Sequence, residues 1–102
     1  MSKAKIKTRA AWTFFSNHGH VLVCIAQDSE MLLREVADLV GITERAVQRI
    51  IHELEEEGYL KKAKTGRRNN YQVIESMPLR HQLESHCKIG ALLKVINKNN
   101  SK

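Results

Sequence analysis

A mainly α fold with one small β-hairpin (α+β) is what this sequence predicts, and three observations predict it. The stretch from Leu33 to His52 reads as two short helical patterns that meet in a turn at Gly41. Two strand-like runs, Tyr59–Lys64 and Tyr71–Glu75, flank a turn-rich block. Beyond Pro78, apolar residues at i+3/i+4 spacing predict an additional C-terminal helix over about 79–96.

The helix pair comes first because the rest of the chain reads as its support. Ala37 falls where the first helix passes close to the second and a large side chain would not fit. Gly41 falls in the turn, where a positive φ is cheapest for glycine. Thr43 suits the N-cap of the second helix, and Ile42 with Val47 forms a hydrophobic staple across that start. Val36, Val40, Ile42, Val47 and Ile50 supply the shared buried face. At 100° per residue, Arg45, Gln48, Arg49 and His52 gather on the opposite face within an arc of roughly 100°. Those types suit base edges and phosphates, arginine pairing with guanine and glutamine with adenine. A plain amphipathic hairpin with a solvated polar face is the competing reading, but the small residue, turn glycine, cap and polar face coincide here.

Ser16 or Asn17 can cap a first helix running to about Gln27, and Val21–Ala26 is apolar all round. Such a helix must be covered on more than one side, by another helix or by another subunit. Trp12, Phe14 and Phe15 are expected to seat the start of the chain on the core. Met31-Leu32-Leu33 suits a short strand. Glu55-Glu56-Glu57 before Gly58 places acids where the macrodipole disfavours them and where they would repel phosphate. Gly58 suits a left-handed helix end. Tyr71 and Val73 share one face of the hairpin, and Thr65–Asn70 forms its tip. In the last helix, Leu79, Leu83, Cys87, Gly90, Leu93 and Ile96 make one stripe, widened by Ile89 and Leu92.

A chain of 102 residues fits one domain with a modest core. Its formal charge of +6 favours a polyanionic partner. The charge is segregated. Residues 1–11 hold Lys3, Lys5, Lys7 and Arg9 and no acid, and residues 61–72 hold Lys61, Lys62, Lys64, Arg67 and Arg68 and no acid. The stretch between them is acidic. The chain therefore divides into a basic arm (1–11), a helix-pair and hairpin domain (12–75), and a C-terminal helix with its tail (76–102). No apolar run reads as a signal peptide or approaches a membrane span. Cys24 and Cys87 are far apart with no CxxC, which suits a reducing, cytoplasmic setting rather than a disulfide scaffold.

Helix, short strand, helix, turn, helix and basic hairpin together resemble the winged helix-turn-helix fold. Ala37, Gly41, Ile42, Val47, Ile50, then EEEGYL at 55–60 and GRRNNY at 66–71, carry the resemblance. The chain looks like a small transcription regulator of the MarR-like type, although such regulators usually carry more helical material around an effector pocket. The resemblance implies double-stranded DNA binding. Thr43, Arg45, Gln48, Arg49 and His52 would enter the major groove, and the wing tip Arg67, Arg68, Asn69 and Asn70, with Lys62 and Lys64, would meet phosphates. It also implies a homodimer through terminal helices, with Val21, Cys24, Leu79, Leu83, Cys87, Gly90 and Leu93 at the seam and Gly90 letting two backbones approach.

Other chemistry is poorly supported. There is no P-loop glycine pattern and no G-x-S-x-G. His52-Glu53 begins like a zinc-protease helix, but Glu56 stands where the second histidine must be. His18, His20 and Cys24, or His81, His86 and Cys87, lack tight metal-ligand spacing. No enzyme, cofactor or metal is implied. The expected protein is a DNA-binding regulator, a repressor by occlusion, with its effector unspecified. A winged helix used only to bind proteins, or a metal- or thiol-responsive sensor, is the alternative.

Overall fold

Each of the first three helices begins where a side chain can take up a free N–H. The computed structural model of the protein describes residues 11–65 and 68–97. In it, the Ser16 hydroxyl accepts from the Gly19 N–H at 3.3 Å and starts α1, Asn17–Gln27. The Glu35 carboxylate reaches back to the Leu32 N–H at 3.0 Å and starts α2, Leu33–Val40. The Thr43 hydroxyl accepts from the Ala46 N–H at 3.0 Å and starts α3, Glu44–Glu56. Caps of this kind contribute about 1 kcal/mol each. They set helix boundaries but do not hold α2, whose eight residues are too few to persist alone in water. Its Val36 and Ala37, 2% and 5% exposed, hold it by packing into the core.

Between α2 and α3 the chain turns at Gly41, whose φ of +90° is left-handed as expected. The Gly41 and Ile42 N–H groups both return to the Ala37 carbonyl. At the far end of α3, the Tyr59 N–H bonds the Leu54 carbonyl and the Gly58 N–H bonds the Glu55 carbonyl, a Schellman closure. Strand β1, Leu60–Thr65, follows at once and pairs antiparallel with β2, Arg68–Val73. The register sets Leu60 opposite Val73 and Lys62 opposite Tyr71. Leu60 is buried, and Tyr71 and Val73 pack on the core from the same face. β2 starts two residues earlier than Asn70, so Arg68, Asn69 and Asn70 belong to the strand and only residues 66–67 lie between the strands.

The core gathers Val21, Leu22 and Ile25 of α1, Val36 of α2, and Val47, Ile50, Ile51 and Leu54 of α3. Both covers of α1 come from its own chain: α2 and α3 pack on it, and so do β2 and α4, Ile89–Ile96. Val21, Cys24 and Leu93, expected at a seam between copies, are thereby buried within one copy.

Two expectations fail. Met31–Leu33 makes no strand; Leu32 is the extended residue before α2, and Glu35 takes the N–H that a ladder would need. Nor does one helix span 79–96. Pro78 bridges Lys88, the Leu79 N–H bonds the Cys87 carbonyl, and the segment between holds only a 3-10 turn at Gln82–Glu84. The Ile89 and Gly90 N–H groups bond the carbonyls of Met77 and Glu75. Those bonds tie the start of α4 to residues 75–77. A continuous helix would carry Gly90 roughly 16 Å along its axis from Leu79. The predicted stripe is therefore broken: Leu83 is 78% exposed and Cys87 is exposed, while Leu79 is half-buried against the core.

Gly90 serves a close approach inside one copy. A Cβ there would lie 2.7 Å from the Glu75 Cβ and 3.1 Å from its carbonyl oxygen. Gly90→Ala should therefore lower stability by about 1–3 kcal/mol. Urea unfolding checks this, through a lower midpoint at unchanged slope; an unaltered midpoint would mean that α4 shifts without cost.

Candidate nucleic-acid interface

The buried stripe of α3 determines what its other side shows. With Val47, Ile50, Ile51 and Leu54 facing the core, Arg45, Gln48, Arg49 and His52 are all exposed. Thr43 is exposed at the start of the helix, where the free N–H groups and the positive end of the macrodipole also lie. The charges divide along the axis. Arg45 and Arg49 stand in the first half with one acid, Glu44, and Glu53, Glu55, Glu56 and Glu57 stand at the far end. Two of those acids reach back one turn, Glu53 to Arg49 at 3.6 Å and Glu56 to His52 at 3.3 Å. Arg49 is 61% exposed, so its contact with Glu53 is weak and leaves the guanidinium free to meet another anion.

Glu53 is shared. Its other carboxylate oxygen meets His18 Nε2 of α1 at 2.7 Å, fixing α3 against α1. That hydrogen bond, with the Arg49 guanidinium behind it, holds the Glu53 carboxyl below its ordinary pKa. Glu57 makes a looser pair with Arg80 at 3.7 Å.

In the hairpin, Lys61 and Lys62 are exposed on β1. Lys64, Arg68 and Asn69 hold strand positions by backbone register, Asn70 lies half-buried opposite Ala63, and Arg67 lies outside the described residues, as does the basic arm up to residue 10. Arg34 of α2 is an exposed cation that the sequence did not mark; a lone arginine on a short helix has no spacing to single it out.

The aromatic start does not seat fully. Trp12 and Phe14 are 69% and 89% exposed and stack edge-on at 5.0 Å, while only Phe15 is half-buried. The thiols are free; burial pushes the Cys24 thiol up, away from the reactive thiolate. Among the described residues no group of three or more His, Cys, Asp or Glu side chains is placed to hold a metal ion, and no helix is long and apolar enough to cross a membrane.

The molecule thus has a three-helix core, an exposed, capped third helix and a hairpin directly after it. Residues 16–61 match the family of winged helix-turn-helix DNA-binding domains. The match runs from the cap of α1 to the second residue of β1, so it covers the helices that carry the resemblance seen in the sequence. Over that region the chain is similar to DNA-binding winged-helix domains, and the similarity supports double-stranded DNA as a candidate partner. No curated protein matches the chain.

The His18–Glu53 bond predicts a pH signature in the stability of the fold. A carboxyl whose folded pKa is depressed contributes stability that is present above its unfolded value, about 4.3, and lost as pH falls through the folded one. His18→Ala should therefore be less stable than the parent at pH 5–6, and the gap should narrow as the pH falls below the ordinary carboxyl range. Thermal unfolding across that range is the measurement. A gap that does not change with pH would assign the loss to packing.

Proposed function

We propose that the protein is a sequence-specific regulator of transcription that binds duplex DNA as a cytoplasmic homodimer and represses by occlusion. The observation that supports this most is the outward face of α3. Its Thr43 cap, Arg45, Gln48 and Arg49 are all exposed, with Glu53, Glu55, Glu56 and Glu57 at the opposite end and Glu44 the one acid beside the arginines. In this reading Arg45, Gln48 and Arg49 meet base edges in the major groove, while Thr43 and His52 position the helix. Lys62, Lys64, Arg67, Arg68, Asn69 and Asn70 of the hairpin neutralise or hydrogen-bond phosphates, and residues 1–11 add charge.

A single winged helix covers few base pairs, so a unique site calls for two copies. The MarR-like arrangement, with terminal segments making the dimer, remains our proposal, but its seam moves. The exposed apolar side chains of the C-terminal segment are Leu83 and Val95, at 78% and 72%. They replace the buried Val21, Cys24 and Leu93. Two-fold symmetry then places half-sites about 10 bp apart or a multiple of that.

Selection of bound sequences from a random duplex pool tests the whole reading. An enriched palindrome is expected; no enrichment would favour a protein-binding winged helix instead.

Residue roles separate by their signatures. Arg49→Ala should cost about 1–3 kcal/mol on the selected site and relax one position per half-site. Lys62→Ala should weaken all duplexes alike and reduce the slope of log K against log salt by about 1. Binding curves at several salt concentrations distinguish the two, and an unchanged slope would remove Lys62 from the interface. Leu83→Glu with Val95→Glu should sediment as a folded monomer that binds weakly and without site preference. A dimer persisting at micromolar concentration would place the seam elsewhere.

A further inference from the structure

A groove of about 760 Å³ opens between α1, the C-terminal half of α3 and the 79–96 segment. That size is in the range of small-molecule sites. Its walls are mostly apolar, with Leu22, Leu54, Ile89 and Leu93 among them, and Phe14, Phe15 and Tyr59 bring aromatic rings to it. The charged groups around it are unbalanced. Glu53, Glu57 and Glu84 supply three carboxylates; Arg80 lies 3.7 Å from Glu57, His18 bonds one oxygen of Glu53 at 2.7 Å, and the Nδ1 of His81, which also lines the groove, accepts from the Leu83 N–H. Glu84 is exposed and forms no ion pair among the described residues. The groove is thus a locally acidic place on a chain of net charge +6. Neither Leu83 nor Val95 lines it, so the proposed dimer seam does not close it.

Aromatic faces beside carboxylates in an apolar groove are the chemistry that attracts an organic cation, through the ring quadrupole and through ion pairing. We propose that this groove binds an apolar organic cation, an aryl- or alkylammonium, whose charge is met by Glu53 and Glu84. Glu53 connects the groove to α3, because the same carboxylate contacts Arg49. A cation beside Glu53 loosens its hold on Arg49 and adds positive charge at the helix. Both effects favour a polyanion, so cation and duplex strengthen each other's binding reciprocally. This coupling rests on the proposed DNA reading; the cation site does not.

The probe is benzyltrimethylammonium, followed through the fluorescence of Trp12, the one tryptophan of the chain, whose ring meets the groove residue Phe14. Neopentylbenzene, its neutral carbon isostere, and benzoate are the controls. The cation should bind about tenfold or more tighter than either control. Glu84→Gln should erase most of that preference while leaving duplex binding unchanged. Glu53→Gln should also weaken the cation and abolish the coupling, which in the parent raises duplex affinity about fivefold or more at saturating probe. Equal binding of the neutral isostere, preference for benzoate, or indifference to both glutamine variants would overturn the cation site. Probe binding confined to the Leu83→Glu/Val95→Glu monomer would show that a second copy fills the groove, and would overturn it too. Selective cation binding with no change in duplex affinity would overturn the coupling. A chain that binds the cation selectively and no duplex at all would refute the DNA reading and leave the groove standing.

Discussion

The packing of one face of α3 against α1 and α2 is the constraint on which the rest of the molecule depends. Val47 and Ile50 are 0% and 2% exposed, and no other arrangement of α3 buries them together with Ile51 and Leu54. Once that face is inward, helical geometry leaves Arg45, Gln48, Arg49 and His52 no direction but outward. The interior therefore aims the polar face, and a side chain lost from the core is felt at the surface. Truncating a residue such as Ile50 costs about 2–5 kcal/mol, a large share of the 5–15 kcal/mol that holds a small domain together.

The division of charge along α3 works against helix stability. Acids at a helix C-terminus face the negative end of the macrodipole. The structure offsets this with partners from outside the helix. His18 of α1 holds Glu53, and Arg80 lies near Glu57. The acidic end is thus joined to neighbouring elements, while the basic end, apart from the weak Arg49–Glu53 contact, faces solvent. A helix with its charges evenly mixed would be easier to stabilise; here only Glu44 accompanies the arginines of the first half.

Where structure follows from residues close in sequence, it was legible. Ser16 and Thr43 announced helix starts, Gly41 and Gly58 announced helix ends, and the 3.6-residue period of α3 predicted which side chains are exposed. What failed is non-local. The spacing of Leu79, Leu83, Cys87, Gly90 and Leu93 is helical on paper. It loses to hydrogen bonds from Ile89 and Gly90 to carbonyls at 77 and 75, which no periodicity encodes. The aromatic residues at 12–15 misled for the same reason. Whether Phe14 is covered depends on what the 79–96 segment does, and that segment leaves a groove there. The groove assembles from three separated stretches and left no mark in any of them.

The end of α3 has a mechanical consequence. Its Schellman closure runs into β1 without a linker, Tyr59 is buried, and the Tyr59 hydroxyl is fixed at 2.6 Å to the Pro78 carbonyl. Helix and hairpin are therefore one rigid caliper with a preset opening. A caliper does not adjust to what it grips. On the proposed DNA reading, duplexes whose groove width already matches its opening would be gripped without distortion, and the others would have to bend, at a cost set by their own stiffness. Part of the selectivity of such a protein would then reside in base pairs that no side chain touches.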